Sequence, residues 1–169
     1  VLIFYCMYTP NIYGRGEQGD NYHAHAYFNS VYNVYQGVPY THNVTSIYGH
    51  YGLFFKIPMK LVHGDFRAFV LMMAGLGALT YIGAFLVLQM LVRSRILRVI
   101  ATFALAFPVL GMRGGYYWQV WPHRVLFPVL LLLYGTVILK KKRSSLLTAT
   151  GGYLICLLAI LWNTETGLL

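Results

Sequence analysis

Hydrophobic and polar positions separate along this chain into long apolar runs and one long polar, aromatic stretch. Four apolar runs, at about 66–92, 96–112, 124–139 and 146–162, are divided by short basic or aromatic turns. Runs of this length predict helices that cross a bilayer. Residues 1–8 are also apolar and predict the outer end of a first spanning helix. A signal peptide is the competing reading there, but a basic leading region and a small-residue cleavage site are both missing. The chain opens on Val1 and closes on Gly167-Leu168-Leu169, where another apolar run starts. The expectation is therefore an amino-terminal fragment of a longer membrane protein. In the run at 66–92, Ala74, Gly75, Gly77, Ala78 and Gly83 predict close helix packing. Pro108 predicts a kink near the outer end of the next run.

Residues 9–65 break the pattern. A glycine-rich loop, Gly14 to Asp20, leads into a segment at 21–36 with helical periodicity. Ala24, Phe28, Val31, Val34 and Tyr35 fall on one side of that helix, and His25, Asn29, Asn33 and Gln36 on the other. A second short element at 53–62 mixes aromatics with Lys56 and Lys60, whose ammonium groups can snorkel. Both are expected to lie along the membrane plane. Asp65 is placed to cap the helix that follows. The expected fold class is all-α, a polytopic transmembrane helix bundle with a long outer loop containing interfacial amphipathic helices.

Charge fixes the orientation. The chain is 58% hydrophobic and 10% charged, with a net charge of +9. That excess is not a nucleic-acid footprint, because seven of the thirteen basic residues sit in two turns, Arg93–Arg98 and Lys140–Arg143. Basic turns between apolar runs mark the cytoplasmic side, with binding of anionic lipid headgroups as a secondary effect. The 9–65, 113–124 and 163–167 segments then share the outer side, together with all four acidic residues. The expected location is a bacterial inner membrane with the 9–65 loop outside. Cys6 and Cys156 lie in separate apolar runs at different depths and are not expected to pair.

Candidate chemistry concentrates on the outer side. Asp20 and Glu17 are candidate general bases on a loop that can approach a ligand. Asp20 also suits a helix cap, and Glu17 suits a solvated loop position. His23, Tyr40, Tyr48 and His50 are candidate substrate contacts, with tyrosine rings able to stack on a sugar or a prenyl chain. Interface packing is the plainer reading of those tyrosines. Arg113, His123 and Arg124 form an outer aromatic turn whose guanidinium forks suit a phosphate, or a simple interfacial anchor. Glu165 is a second acid at a helix end or an ordinary exposed residue. A metal site is not expected: on a helix His23 and His25 point about 200° apart, and Asp20 with His23 makes only two ligands. A divalent metal is the one cofactor left open. Asn43-Val44-Thr45 matches a glycosylation acceptor, a short pattern common by chance.

Tyr35-Gln36-Gly37-Val38-Pro39-Tyr40, followed by Ile47-Tyr48-Gly49-His50-Tyr51-Gly52, resembles the first outer loop of the C-type superfamily of membrane glycosyltransferases, in which a Gly-x-Pro-Tyr turn separates two helices. Trp162 to Gly167 is similar to a turn in bacterial relatives of that superfamily. The resemblance implies inverting transfer from a polyprenyl-phosphate sugar, with an acid of the first outer loop as base. Asp20 matches that position best and Glu17 second. The chain departs from the pattern in lacking an Asp-Glu or Asp-x-Asp pair in the loop. The partners implied are a lipid-linked sugar donor and membrane lipids, without nucleic acid.

The leading expectation is thus a glycosyltransferase core acting on the outer face. The alternatives are a transporter or channel subunit and a non-catalytic membrane assembly subunit. A transporter would place ionisable groups at mid-membrane, and the expected span interiors contain no Asp, Glu, Lys or Arg.

Overall fold

A computed structural model of the chain describes residues 4, 20–40, 46, 48–111, 121–142 and 145–168, with backbone alone for 20–25 and 108–111. Among the described residues every regular element is helical. Helix α1 (Asp20–Tyr35) is followed by a 3₁₀ turn (Tyr51–Phe55) that runs into the short α2 (Lys56–Leu61). Four longer helices come next: α3 (Phe66–Leu91), α4 (Arg95–Gly111), α5 (Leu126–Lys141) and α6 (Leu146–Trp162). One further turn of helix, α7 (Thr164–Gly167), closes the described chain.

Local chemistry sets most of these boundaries. The Asp65 side chain accepts from the Ala68 backbone N–H at 3.0 Å, the cap expected from sequence. Ser145 and Thr148 form a reciprocal capping box at the start of α6. α5 begins at Leu126, later than expected, because residues 121–125 make a turn in which the Pro122 carbonyl accepts from Val125 and Leu126. It ends later too: Lys140 and Lys141 are still helical, and Lys142 takes the left-handed conformation that stops it. Helix α4 is assigned through Pro108.

Of these helices, α3 is long and apolar enough to cross a membrane, whereas α6 is apolar but shorter. The two lengths have a structural reason. Helix α5 packs mainly on α3 and α6. Its first residues, Leu126 and Phe127, share a cavity wall with Met72 and Leu76, well inside α3. The first turns of α3, with Phe69 and Val70, pack instead against the loop elements. Where α3 faces α5 its small residues matter: a methyl on Gly83 would stand 2.8 Å from Val129. The expectation held less well at Gly75, where such a methyl would touch nothing.

The core sits at the loop end of the bundle. Tyr27, Val31, Tyr51, Phe55, Met59, Phe69, Met73 and Trp162 are buried together there. The buried stripe of α1 is Tyr27, Ser30, Val31 and Val34, rotated from the expected Phe28–Tyr35 face. The cause is a polar network: the Tyr51 hydroxyl accepts from Ser30 Oγ and donates to the Tyr27 carbonyl, both at 2.8 Å. Buried hydroxyls need such partners. The basic start of α4 and the basic end of α5 lie at the opposite end from this core.

Candidate functional site

Three segments converge beside the aromatic core: Ser46 with residues 48–50, the turn before α5, and the α6–α7 junction. Gly49 makes the convergence possible. Its φ is +106°, and a side-chain carbon there would stand 2.5 Å from the Trp162 carbonyl. The neighbouring His50 N–H donates to the Leu161 carbonyl at 3.1 Å, tying the loop to the end of α6. Asn163 then turns the chain: its buried side chain accepts from the Glu165 N–H at 3.0 Å and starts α7. Gly167 lets that turn lie on α6, since a side-chain carbon would meet Ile160 backbone at 2.4 Å.

The convergence leaves a cleft of about 200 Å³ walled by Ser46, Tyr48, His50, Arg124, Asn163 and Glu165. Arg124 donates to a Glu165 carboxylate oxygen at 2.8 Å, with side chains 43% and 71% exposed. A pair this exposed is worth roughly 0–1 kcal/mol of stability, so it is open to exchange with a ligand. The Tyr40 hydroxyl and His50 Nδ1 share a 2.7 Å hydrogen bond at the edge of the site. Partial burial raises the Tyr40 hydroxyl pKa.

Arg124 and Glu165 also wall a second, larger cavity of about 910 Å³ between α5 and α6. Its remaining walls are largely apolar, including Phe127, Leu131, Leu132, Ile155 and Ala159. A polar cleft and an apolar groove therefore meet at one ion pair. That shape matches a molecule with a polar, anionic head and a long apolar tail.

His123 does not join the cleft. Its ring is 1% exposed, set edge-on to Tyr51 and Tyr27 and tilted against Trp162. Nε2 donates to the Tyr48 carbonyl, and the Trp162 indole N–H donates to the His123 carbonyl at 2.9 Å. Burial pushes its pKa down to about 4. His123 is therefore a neutral latch between the loop and α6. Nδ1 is buried without a hydrogen-bond partner among the described residues. Tyr48 divides its ring between the core and the cleft, stacking on Tyr27 at 4.4 Å.

Of the residues expected from sequence, the structure brings Tyr48, His50, Arg124 and Glu165 together, with Tyr40 beside His50. Glu17 and Arg113 lie outside the described residues, as do the side chains of Asp20 and His23. The 1–8 helix and the glycosylation pattern lie outside them too, apart from the helical residue Phe4. Ser46 and Asn163 were missed. Asn163 had a signal, an Asn directly after an apolar run and two residues before an acid. Ser46 had none. Among the described residues no three His, Cys, Asp or Glu side chains come together as a metal site. Comparisons with protein-family models, curated proteins and solved structures give no match, so the resemblance to membrane glycosyltransferases rests on its short motifs alone.

Proposed function

We propose that the chain is part of a multi-pass membrane glycosyltransferase that takes its sugar from a polyprenyl-phosphate donor. The observation that carries this reading is the meeting of the polar cleft and the apolar groove at Arg124 and Glu165. The groove takes the prenyl tail. The Arg124 guanidinium gives up part of its contact with Glu165 to hold the phosphate. Glu165 and His50 are then free to hydrogen-bond sugar hydroxyls.

Membrane placement is supported by the apolar side chains left on the outside of the bundle. Phe103 is 72% exposed, Leu139 78% and Leu147 81%, amid many similar neighbours. Water-soluble proteins rarely expose so much contiguous apolar surface. Helices α4, α5 and α6 have 16 or 17 residues. At about 1.5 Å per residue they reach roughly 24–26 Å, near the ~30 Å hydrocarbon thickness. The aromatic end then faces outward and the basic turns face the cytoplasm.

In the transfer, the acceptor hydroxyl attacks the anomeric carbon as the bond to the phosphate oxygen breaks. The hydroxyl proton passes to a carboxylate of the 9–65 loop, Asp20 first and Glu17 second, and the phosphate leaves on its prenyl chain beside Arg124. The test is a transfer assay on the whole membrane protein with a polyprenyl-phosphate sugar. Losing a general base costs about 10²–10⁴ in rate, so Asp20→Asn should stop turnover while donor binding persists. Full activity in both Asp20→Asn and Glu17→Gln would overturn the assignment of the base.

A further inference from the structure

The cytoplasmic end of the bundle carries a second amphiphilic site. A cleft of about 440 Å³ opens where α3 ends and α4 begins, lined by Phe85 and Gln89 on one side and Arg95, Arg98, Val99 and Phe103 on the other. Arg95, Arg98, Val99 and Phe103 follow one another along the face of α4 that lines the cleft, with Phe103 five and eight residues beyond the two arginines. Arg98 is held in place, its Nη1 donating to Gln89 Oε1 at 3.1 Å. Its Nε is buried and has no hydrogen-bond partner among the described residues.

No acid serves these arginines among the described residues. Asp65 caps the far end of α3, about 36 Å of helix away from Gln89 at ~1.5 Å per residue. Glu165 is paired with Arg124 at the other end of the bundle. Two guanidinium groups lining an apolar cleft thus have no counter-ion among the described residues, and Phe103 stays 72% exposed beside them. An anion alone would leave that apolar wall uncovered. A soluble apolar molecule would leave the charges unpaired.

We propose that this cleft binds one anionic phospholipid, its phosphate between Arg95 and Arg98 and an acyl chain along Phe85, Val99 and Phe103. The inference rests on the membrane placement proposed above and is independent of the transferase chemistry. It differs from diffuse attraction of a basic surface for acidic lipid, because it assigns the selectivity to the arginines of one cleft. Lys140 and Lys141 carry equal charge at the end of α5 and do not line this cleft.

The test is native mass spectrometry of the whole detergent-solubilised protein, titrated with phosphatidylglycerol or phosphatidylcholine. Wild type should retain one phosphatidylglycerol at about a tenfold lower lipid concentration than phosphatidylcholine, the factor that ~1.4 kcal/mol supplies. Arg95→Gln with Arg98→Gln should erase that preference, whereas Lys140→Gln with Lys141→Gln should keep it. Arg95→Gln alone, at an exposed position, should reduce it and guards against misfolding of the double variant. Phe103→Ala should weaken retention, and millimolar inorganic phosphate should not displace the lipid. A preference that survives the arginine changes, or falls equally with the lysine changes, overturns the proposal. Displacement by inorganic phosphate shows a bare anion site and overturns it too. Neither result bears on Arg124, so failure here is separable from failure of the donor site.

Discussion

The two ends of this molecule solve the burial problem in opposite ways. At the loop end, aromatic side chains are enclosed, and their polar atoms are bonded across long sequence separations: Tyr51 to Ser30, His123 to Tyr48, Trp162 to His123. At the basic end, leucines and phenylalanines stay uncovered on the same helices. The first end is packed like the interior of a water-soluble domain. The second makes sense with lipid as its solvent. The ion pair of Arg124 and Glu165 lies at the loop end, where the apolar groove between α5 and α6 meets the polar cleft.

The contrast can be tested by removing packing from each end in turn. Trp162→Ala should cost about 3–5 kcal/mol, because the indole fills the junction of Tyr51, Phe54, Phe55 and Phe127. Thermal unfolding of the detergent-solubilised protein would show it as a large fall in midpoint. An effect below about 1 kcal/mol would mean the loop end is not the stability core.

Acid should loosen the same end through His123. Its folded pKa of about 4 lies below the ordinary value of 6.5. Between those values the unfolded chain binds a proton that the folded chain refuses, so stability is lost as pH falls from about 6.5 to about 4. Above that window His123 contributes no pH dependence. The slope within it should approach about 1.4 kcal/mol per pH unit. Unfolding midpoints measured across the window in wild type and His123→Gln would check it, since the variant should lose that part of the slope.

Smaller effects sharpen the contrast. Tyr51→Phe should cost about 1 kcal/mol, since Ser30 Oγ, 3.2 Å from the Tyr27 carbonyl, can take over the lost donation. Leu147→Ala, at the basic end, should change stability in detergent by less than about 0.5 kcal/mol, as surface substitutions do. A loss near that of Trp162→Ala would show Leu147 covered by something other than lipid.

Much of the helical frame was legible in the sequence, for a physical reason. Helices α3 and α6 are continuous apolar runs, and α3 is started by Asp65, a cap that is a property of neighbouring residues; the Ser145 cap of α6 is equally local but was not read. What escaped depended on distant residues. The role of His123 was one of these: Tyr51 and Trp162, 72 and 39 positions away, enclose its ring, and that burial keeps it neutral. On α1, Val31 and Val34 are buried as expected, but the addition of Tyr27 and Ser30 to the stripe was not legible, because their buried partner is the distant Tyr51. The groove between α5 and α6 was invisible in the same way. No local pattern shows that Arg124 and Glu165, 41 positions apart, will meet at its mouth.

The most direct test of the account is the affinity of the membrane-reconstituted protein for a polyprenyl-phosphate sugar, compared between wild type, Arg124→Ala and Leu132→Trp. A charged hydrogen bond is worth about 1.5–3 kcal/mol, so Arg124→Ala should weaken binding at least tenfold. Leu132→Trp, which fills the groove, should weaken the prenyl donor and leave a short-chain analogue unaffected. Unchanged donor affinity in both variants would contradict the claim that head and tail are held on either side of the Arg124–Glu165 pair.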